Sequence, residues 1–180
     1  MKEDWHSEID GSWTLFLDRD GVINEKLPGD YVKQIDEFQF LPGVLDALEK
    51  ASRIFDVIVV VTNQQGIGKG IMTDTRLFTI HQYMIKELFN NGGRIDKIYF
   101  CPDLEADNPS HRKPRTGMAF DARADYPSIE FAKSIIAGDS PTDMEFGHRL
   151  GMKCVGIGAQ ANAEETYSSL FHFIDVITSK

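Results

Sequence analysis

Two aspartates two residues apart stand at the end of a short apolar run, in Leu15-Phe16-Leu17-Asp18-Arg19-Asp20-Gly21-Val22-Ile23-Asn24. In extended backbone, residues two apart face the same side, so Asp18 and Asp20 can address one ligand. Gly21 lets the chain turn away behind them. One carboxylate of such a pair suits attack on phosphorus, giving an aspartyl phosphate. The other suits protonating the leaving oxygen and then taking a proton from water. Taken alone, the pair is also an ordinary turn sequence.

The elements around the pair decide between these readings. Trp13 to Leu17 is short, apolar and bounded by turn residues, as a buried parallel strand is. Val57 to Val61 is the clearest strand, four valines and an isoleucine. Ile95 to Phe100, Ser134 to Ala137 and Lys153 to Ile157 read as three more. Helical stretches fall between them: Val44 to Ile54, Thr75 to Asn91 capped by Asp74, Gly117 to Tyr126, and a helix from Pro141 to Leu150. The pattern predicts a last helix over Ala163 to Phe171 and an edge strand over Phe173 to Ile177. This alternation predicts an α/β fold: a three-layer, doubly wound, Rossmann-like parallel sheet with helices on both faces. Residues 1–11 read as a loose tail and 12–180 as a single domain.

Ligands of such sheets sit beyond the carboxyl ends of the strands. Asp18 and Asp20 follow the first strand, Thr62 the second, and Asp139 the fourth, with Asp143 one helical turn on. Lys113 lies in the loop after the third. Converging carboxylates repel one another unless a hard cation such as Mg²⁺ lies between them. A lysine and a hydroxyl nearby suit a phosphoryl group, so the set points to phosphoryl transfer.

Asp18 to Asn24, Thr62-Asn63-Gln64, Arg112-Lys113-Pro114 and Gly138-Asp139-Ser140-Pro141-Thr142-Asp143 resemble the four ordered motifs of haloacid-dehalogenase-like phosphatases. The match spans about residues 13–160. Within that superfamily the chain is similar to the capless branch holding heptose-1,7-bisphosphate and histidinol-phosphate phosphatases. The resemblance implies that Asp18 is nucleophile and Mg²⁺ ligand, and that Asp20 is acid/base and binds metal through its backbone carbonyl. It also implies that Asp139 completes the metal site and that Thr62 and Lys113 hold phosphoryl oxygens. Asn63, Gln64, Arg112 and Ser140 are implied at the substrate, with Asp143 ordering the site from behind.

The chain departs from that branch in two places. Members often carry zinc in the loop before Arg-Lys-Pro; here only Cys101, Asp103 and His111 remain as donors, so the expectation is a zinc-free loop. Relatives often place Lys or Arg where this chain has Ser140. No insertion is long enough for a cap, which leaves Glu25 to Tyr31 and Cys101 to His111 to set specificity.

The remaining features restrict the partners. A formal net charge of -9 weighs against a nucleic-acid backbone binder. Gly66-Ile67-Gly68-Lys69-Gly70 lacks the Ser or Thr of a phosphate-binding loop. His81 and His148 read as surface or packed histidines, and Cys154 as core. Two cysteines, no apolar leader and no membrane-length apolar run lead to the expectation of a cytoplasmic protein, monomeric or a small homo-oligomer. The expected substrate is a small phosphorylated metabolite, foremost heptose 1,7-bisphosphate. Histidinol phosphate, a nucleic-acid end and a non-catalytic phospho-ligand sensor are the alternatives.

Overall fold

Strand β1, Thr14–Leu17, is buried at all four positions. A computed structural model describes residues 5–158 and 162–179. Strands β2 (Val57–Asn63), β3 (Lys97–Cys101), β4 (Ser134–Gly138), β5 (Lys153–Ile157) and β6 (Glu165–Tyr167) complete a six-stranded sheet in the order β3-β2-β1-β4-β5-β6. Every pairing is parallel. The predicted doubly wound α/β architecture is the one observed.

Alternation along the strands builds two cores. Leu15 and Leu17 of β1, Ile58 and Val60 of β2, and Ile135 and Ala137 of β4 face one side. There they meet α1 (Val44–Ala51), α2 (Asp74–Asn90) and α5 (Leu170–Thr178). Phe16, Val59 and Ile136 face the other side, toward α3 (Gly117–Asp125) and α4 (Pro141–Leu150). Period-two alternation therefore sends Asp18, the next residue after Leu17, toward the α3/α4 side. The chain leaves β1 outward through β2 and β3, then returns across β1 to β4. That reversal opens a crevice between the ends of β1 and β4, where such sheets bind ligands.

Three expectations fail, for reasons the packing makes plain. The predicted final helix and edge strand exchange places: Glu165–Tyr167 is the strand and Leu170–Thr178 the helix. Leu170, Phe173, Ile174 and Ile177 recur at helical spacing and pack into the core. The helix is capped by Ser169, whose Oγ accepts from His172 N at 3.1 Å. The loose tail is also wrong over its described part. Trp5–Glu8 forms a helical turn, and Trp5 is buried against Trp13 and Phe173, ring centroids 6.4 and 6.5 Å away. At α2, Thr73 rather than Asp74 is the cap, its Oγ1 accepting from Arg76 N. No helix among the described residues is long and apolar enough to cross a membrane.

Candidate active site

The β1 end is fixed by Asp18 N donating to Ala137 O at 3.0 Å, which extends the β1–β4 ladder one residue past the strand. The chain then folds tightly, with Val22, Ile23 and Asn24 N all donating to Arg19 O. Gly21 sits at φ +87°, and a Cβ there would lie 2.2 Å from Asp139 Oδ2. Only glycine lets the β1 loop approach the β4 loop so closely. Gly138 acts likewise, since a Cβ on it would meet Asp143 Cβ at 2.2 Å.

These approaches bring oxygen donors of Asp18, Asp139 and Asp143 within 4.8 Å of one another. Lys113, buried to 2% side-chain exposure, lies among them. Its Nζ donates to Asp18 Oδ1 at 2.9 Å and to Asp143 Oδ1 at 2.5 Å. The other oxygen of Asp143 accepts from Ser140 N at 3.1 Å and Ser140 Oγ at 2.6 Å, closing the start of α4. Asp143 thus spends its oxygens behind Lys113 and Ser140.

The electrostatics follow from burial. Desolvation drives the Asp18 carboxyl up to about 7; the Lys113 ammonium opposes this, while Asp143 and Asp20 add to it. Burial disfavours the Lys113 ammonium, yet Asp143 and Asp18 outweigh that cost and hold its pKa above the usual lysine value. Asp20 would also be raised by burial. Instead the Arg19 charge, with hydrogen bonds from Arg19, Asn24 and Gln64, holds it below the usual carboxylate range.

Asp20 is held on every side. Arg19 Nη2 reaches both its oxygens, at 2.8 and 3.0 Å; Asn24 Nδ2 and Gln64 Nε2 each add a bond at 2.9 Å. Arg19 itself is fully buried, and its Nη1 meets His81 Nε2 at 3.2 Å. Desolvation, then the Arg19 charge, pushes the His81 imidazole down to about 3. A neutral His81 accepts that hydrogen bond at Nε2. It is a packed histidine with a polar task, which no local spacing in the sequence announces.

Asp18, Asp20, Thr62, Asn63, Arg112, Lys113, Asp139 and Ser140 all line one cavity of about 230 Å³. Gln64 does not. It is fully buried, with its amide on Asp20 and on Thr62 Oγ1, so the expectation that it touches substrate is corrected: it aligns two residues that do line the cavity. Asn63 grips the Lys113 backbone twice, Nδ2 to Lys113 O at 3.1 Å and Lys113 N to Oδ1 at 3.0 Å. Arg112 is 3.7 Å from Glu105 and borders both this cavity and its neighbour. Lys26, which no motif marked, lines the cavity too and reaches Asp139 Oδ2 at 2.8 Å.

Cys101, Asp103 and His111 do not gather. Cys101 Sγ lies 3.8 Å from Asp103, while His111 binds Ser110 and Asp121. At the opposite end of the sheet His148, Cys154 and Glu164 form a second cluster of donor types. Burial, then Glu164, pushes the Cys154 thiol up to about 12, so it remains a protonated, packed cysteine.

A parallel sheet carrying aspartates at the ends of β1 and β4, with a buried lysine between them, has the groups and placement that phosphoryl transfer needs. The chain belongs to the haloacid-dehalogenase-like hydrolases and is a phosphatase of that family. A family model described as "HAD-hyrolase-like" matches residues 110–173. A D-glycero-alpha-D-manno-heptose-1,7-bisphosphate 7-phosphatase of Mycobacterium tuberculosis is 38% identical over 169 residues, 89% of each chain. A D-glycero-beta-D-manno-heptose-1,7-bisphosphate 7-phosphatase of Escherichia coli is 38% identical over 138 residues, 73% of this chain and 71% of that one. The solved D,D-heptose 1,7-bisphosphate phosphatase of B. bronchiseptica, complexed with magnesium and phosphate, superposes with a TM-score of 0.85 at 27% identity. It covers 93% of this chain and 98% of its own.

Proposed function

We propose that the protein hydrolyses the 7-phosphate of a D-glycero-D-manno-heptose 1,7-bisphosphate, using Mg²⁺ and an aspartyl phosphate on Asp18. The observation that carries this reading is the single cavity holding Asp18, Asp20, Thr62, Lys113 and Asp139, in a chain akin to heptose-bisphosphate phosphatases. The all-oxygen donor set fits a hard divalent cation. Asp18, Asp139 and the Asp20 backbone carbonyl would hold it. When bound there, Mg²⁺ would supply positive charge to the phosphoryl oxygens and favour the ionised carboxylates.

The chain supplies the remaining chemistry. Lys113 occupies Asp18 Oδ1, which leaves Oδ2 as the attacking oxygen. Its bond to phosphorus forms as the bond from phosphorus to the sugar C7 oxygen breaks. Thr62 and Lys113 hold phosphoryl oxygens. Once Asp20 turns from Arg19, its carboxylate takes up a proton from solvent and passes it to the departing sugar oxygen. It then takes a proton from the water that attacks phosphorus and frees Asp18.

A panel of phosphorylated metabolites assayed with Mg²⁺ tests the reading. Heptose 1,7-bisphosphate is expected to lose its 7-phosphate fastest, and Asp18→Asn to abolish turnover. Activity confined to histidinol phosphate, or to nucleic-acid ends, would overturn it.

A further inference from the structure

We infer that Lys26 is a second cation, beside Lys113, that meets the transferred phosphoryl group in this cavity, acting from the loop after β1 where the start of α4 offers only the neutral Ser140. The inference rests on the proposed phosphatase chemistry and adds a residue to that site.

The charges around the cavity point to Lys26. Asp18, Asp20, Asp30 and Asp139 line it, against Lys26, Arg112 and Lys113. A dianionic phosphoryl group entering among these carboxylates needs positive charge that can swing to it from its present partner. Lys113 is buried and divided between Asp18 and Asp143. Arg112 is mostly buried, 15% exposed, and leans toward Glu105. Ser140 has no charge and gives its hydroxyl hydrogen to Asp143. Lys26 differs from all three: its side chain is 54% exposed, and its ammonium stands at the cavity wall, 2.8 Å from Asp139 Oδ2.

The backbone before Lys26 is built for aim. Asn24 Nδ2, which also holds Asp20, donates to Glu25 O at 2.9 Å, and Glu25 N donates to Gln39 O at 2.8 Å. The residue preceding Lys26 is therefore tied to the acid/base aspartate and to the segment ahead of α1. From this fixed base, a four-carbon stem with three donors can turn from Asp139 to a phosphoryl oxygen beside it.

The geometry assigns Lys26 two opposed effects, which makes the inference testable. Its ammonium competes with a divalent cation for Asp139, yet attracts phosphate. Calorimetric titrations of wild type, Lys26→Ala and Lys26→Arg would use inorganic phosphate on the Mg²⁺-loaded protein and Mg²⁺ on the phosphate-free protein. In Lys26→Ala, phosphate is expected to bind about tenfold more weakly, as for loss of one charge-assisted hydrogen bond. Mg²⁺ is expected to bind more tightly, and Lys26→Arg to restore phosphate affinity. Tighter Mg²⁺ with unchanged phosphate affinity would overturn the inference, because Lys26 would then only neutralise Asp139. Unchanged affinity for both would overturn it as well. Turnover of heptose bisphosphate by wild type beside undiminished phosphate binding by Lys26→Ala would sink this inference alone. Phosphate binding that depends on Lys26, in a wild type inert toward heptose bisphosphate, would sink the substrate reading alone.

Discussion

Arg19 lays one guanidinium nitrogen across both carboxylate oxygens of Asp20, at 2.8 and 3.0 Å, from a position with no solvent exposure. The pair is the electrostatic hinge of the proposed mechanism. It stores Asp20 as a carboxylate, poised to take a proton, and it must loosen before Asp20 can give one. Arg19 holds this place because its other nitrogen, Nη1, meets His81 on α2. Arg19 is fully buried, but the Asp20 side chain is 23% exposed and keeps its bonds from Asn24 and Gln64. Losing Arg19 then costs less than breaking a fully buried pair, about 1–3 kcal/mol. Arg19→Met is therefore expected to lose that much stability near neutral pH.

The sign of its pH dependence follows from the depressed Asp20 pKa. A carboxyl held below its unfolded value of 3.8 stabilises the fold above that pH and ceases to do so as pH falls through the folded value. Urea unfolding of Arg19→Met and wild type should therefore differ most near neutrality and converge as the solution becomes strongly acidic. A constant difference across that range would show that Asp20 is not the partner that matters.

Asn63 clamps the backbone of Lys113 through two hydrogen bonds, although 50 residues separate them. Asn63→Ala removes both and leaves the Lys113 peptide to find other partners. The expected stability loss is about 1–3 kcal/mol. Because Lys113 then loses its register against Asp18, kcat should fall further than KM rises. An intact kcat with a raised KM would instead make Asn63 a substrate contact, as its motif had implied.

Trp5 joins the core from outside the sheet, stacked near Trp13 at an interplanar angle of 24°. Replacing a large buried aromatic by alanine costs about 3–5 kcal/mol. Trp5→Ala should lower the thermal midpoint strongly, while KM and kcat well below that midpoint stay at wild-type values. A midpoint that does not move would return this segment to the status of a tail.

The contrast between Trp5 and Asp18 shows what local sequence can carry. Asp18, Thr62 and Asp139 each follow a buried apolar run, so strand and site residue announce one another. β6 is three residues, Glu-Thr-Tyr, with no buried position, and nothing in its pattern separates it from a turn. The apolar density of 173–177 reads as a strand, yet together with Leu170 its spacing is helical. Gln64 and His81 were illegible for another reason. Their partners, Asp20 and Arg19, lie 44 and 62 residues away, and only the folded sheet brings them together. Lys26 belongs to no motif, and its meeting with Asp139 spans 113 residues.

Asp18 makes the last prediction, because its carboxyl is raised from 3.8 to about 7 in the metal-free fold. Below about pH 3.8 it is protonated in both the folded and unfolded chain, and its favourable contribution is complete. Between there and about pH 7 the unfolded chain gives up this proton while the folded chain keeps it. That contribution is therefore lost steadily as pH rises, and above about 7 nothing further changes. Asp18→Asn removes the slope, so in chelator the variant should gain stability relative to wild type from about pH 5 to pH 7. Its amide oxygen still accepts from Lys113, and the bond from Lys113 to Asp143 stays. Divalent cation binding runs the other way, because it needs the ionised carboxylate and must release the proton. Mg²⁺ affinity of wild type should rise by up to about tenfold per pH unit toward pH 7 and level off beyond it. Mg²⁺ titrations from about pH 5.5 to 8.5 would decide the matter: a flat affinity below pH 7 would mean that Lys113 compensates Asp18 fully and that burial does not control its ionisation.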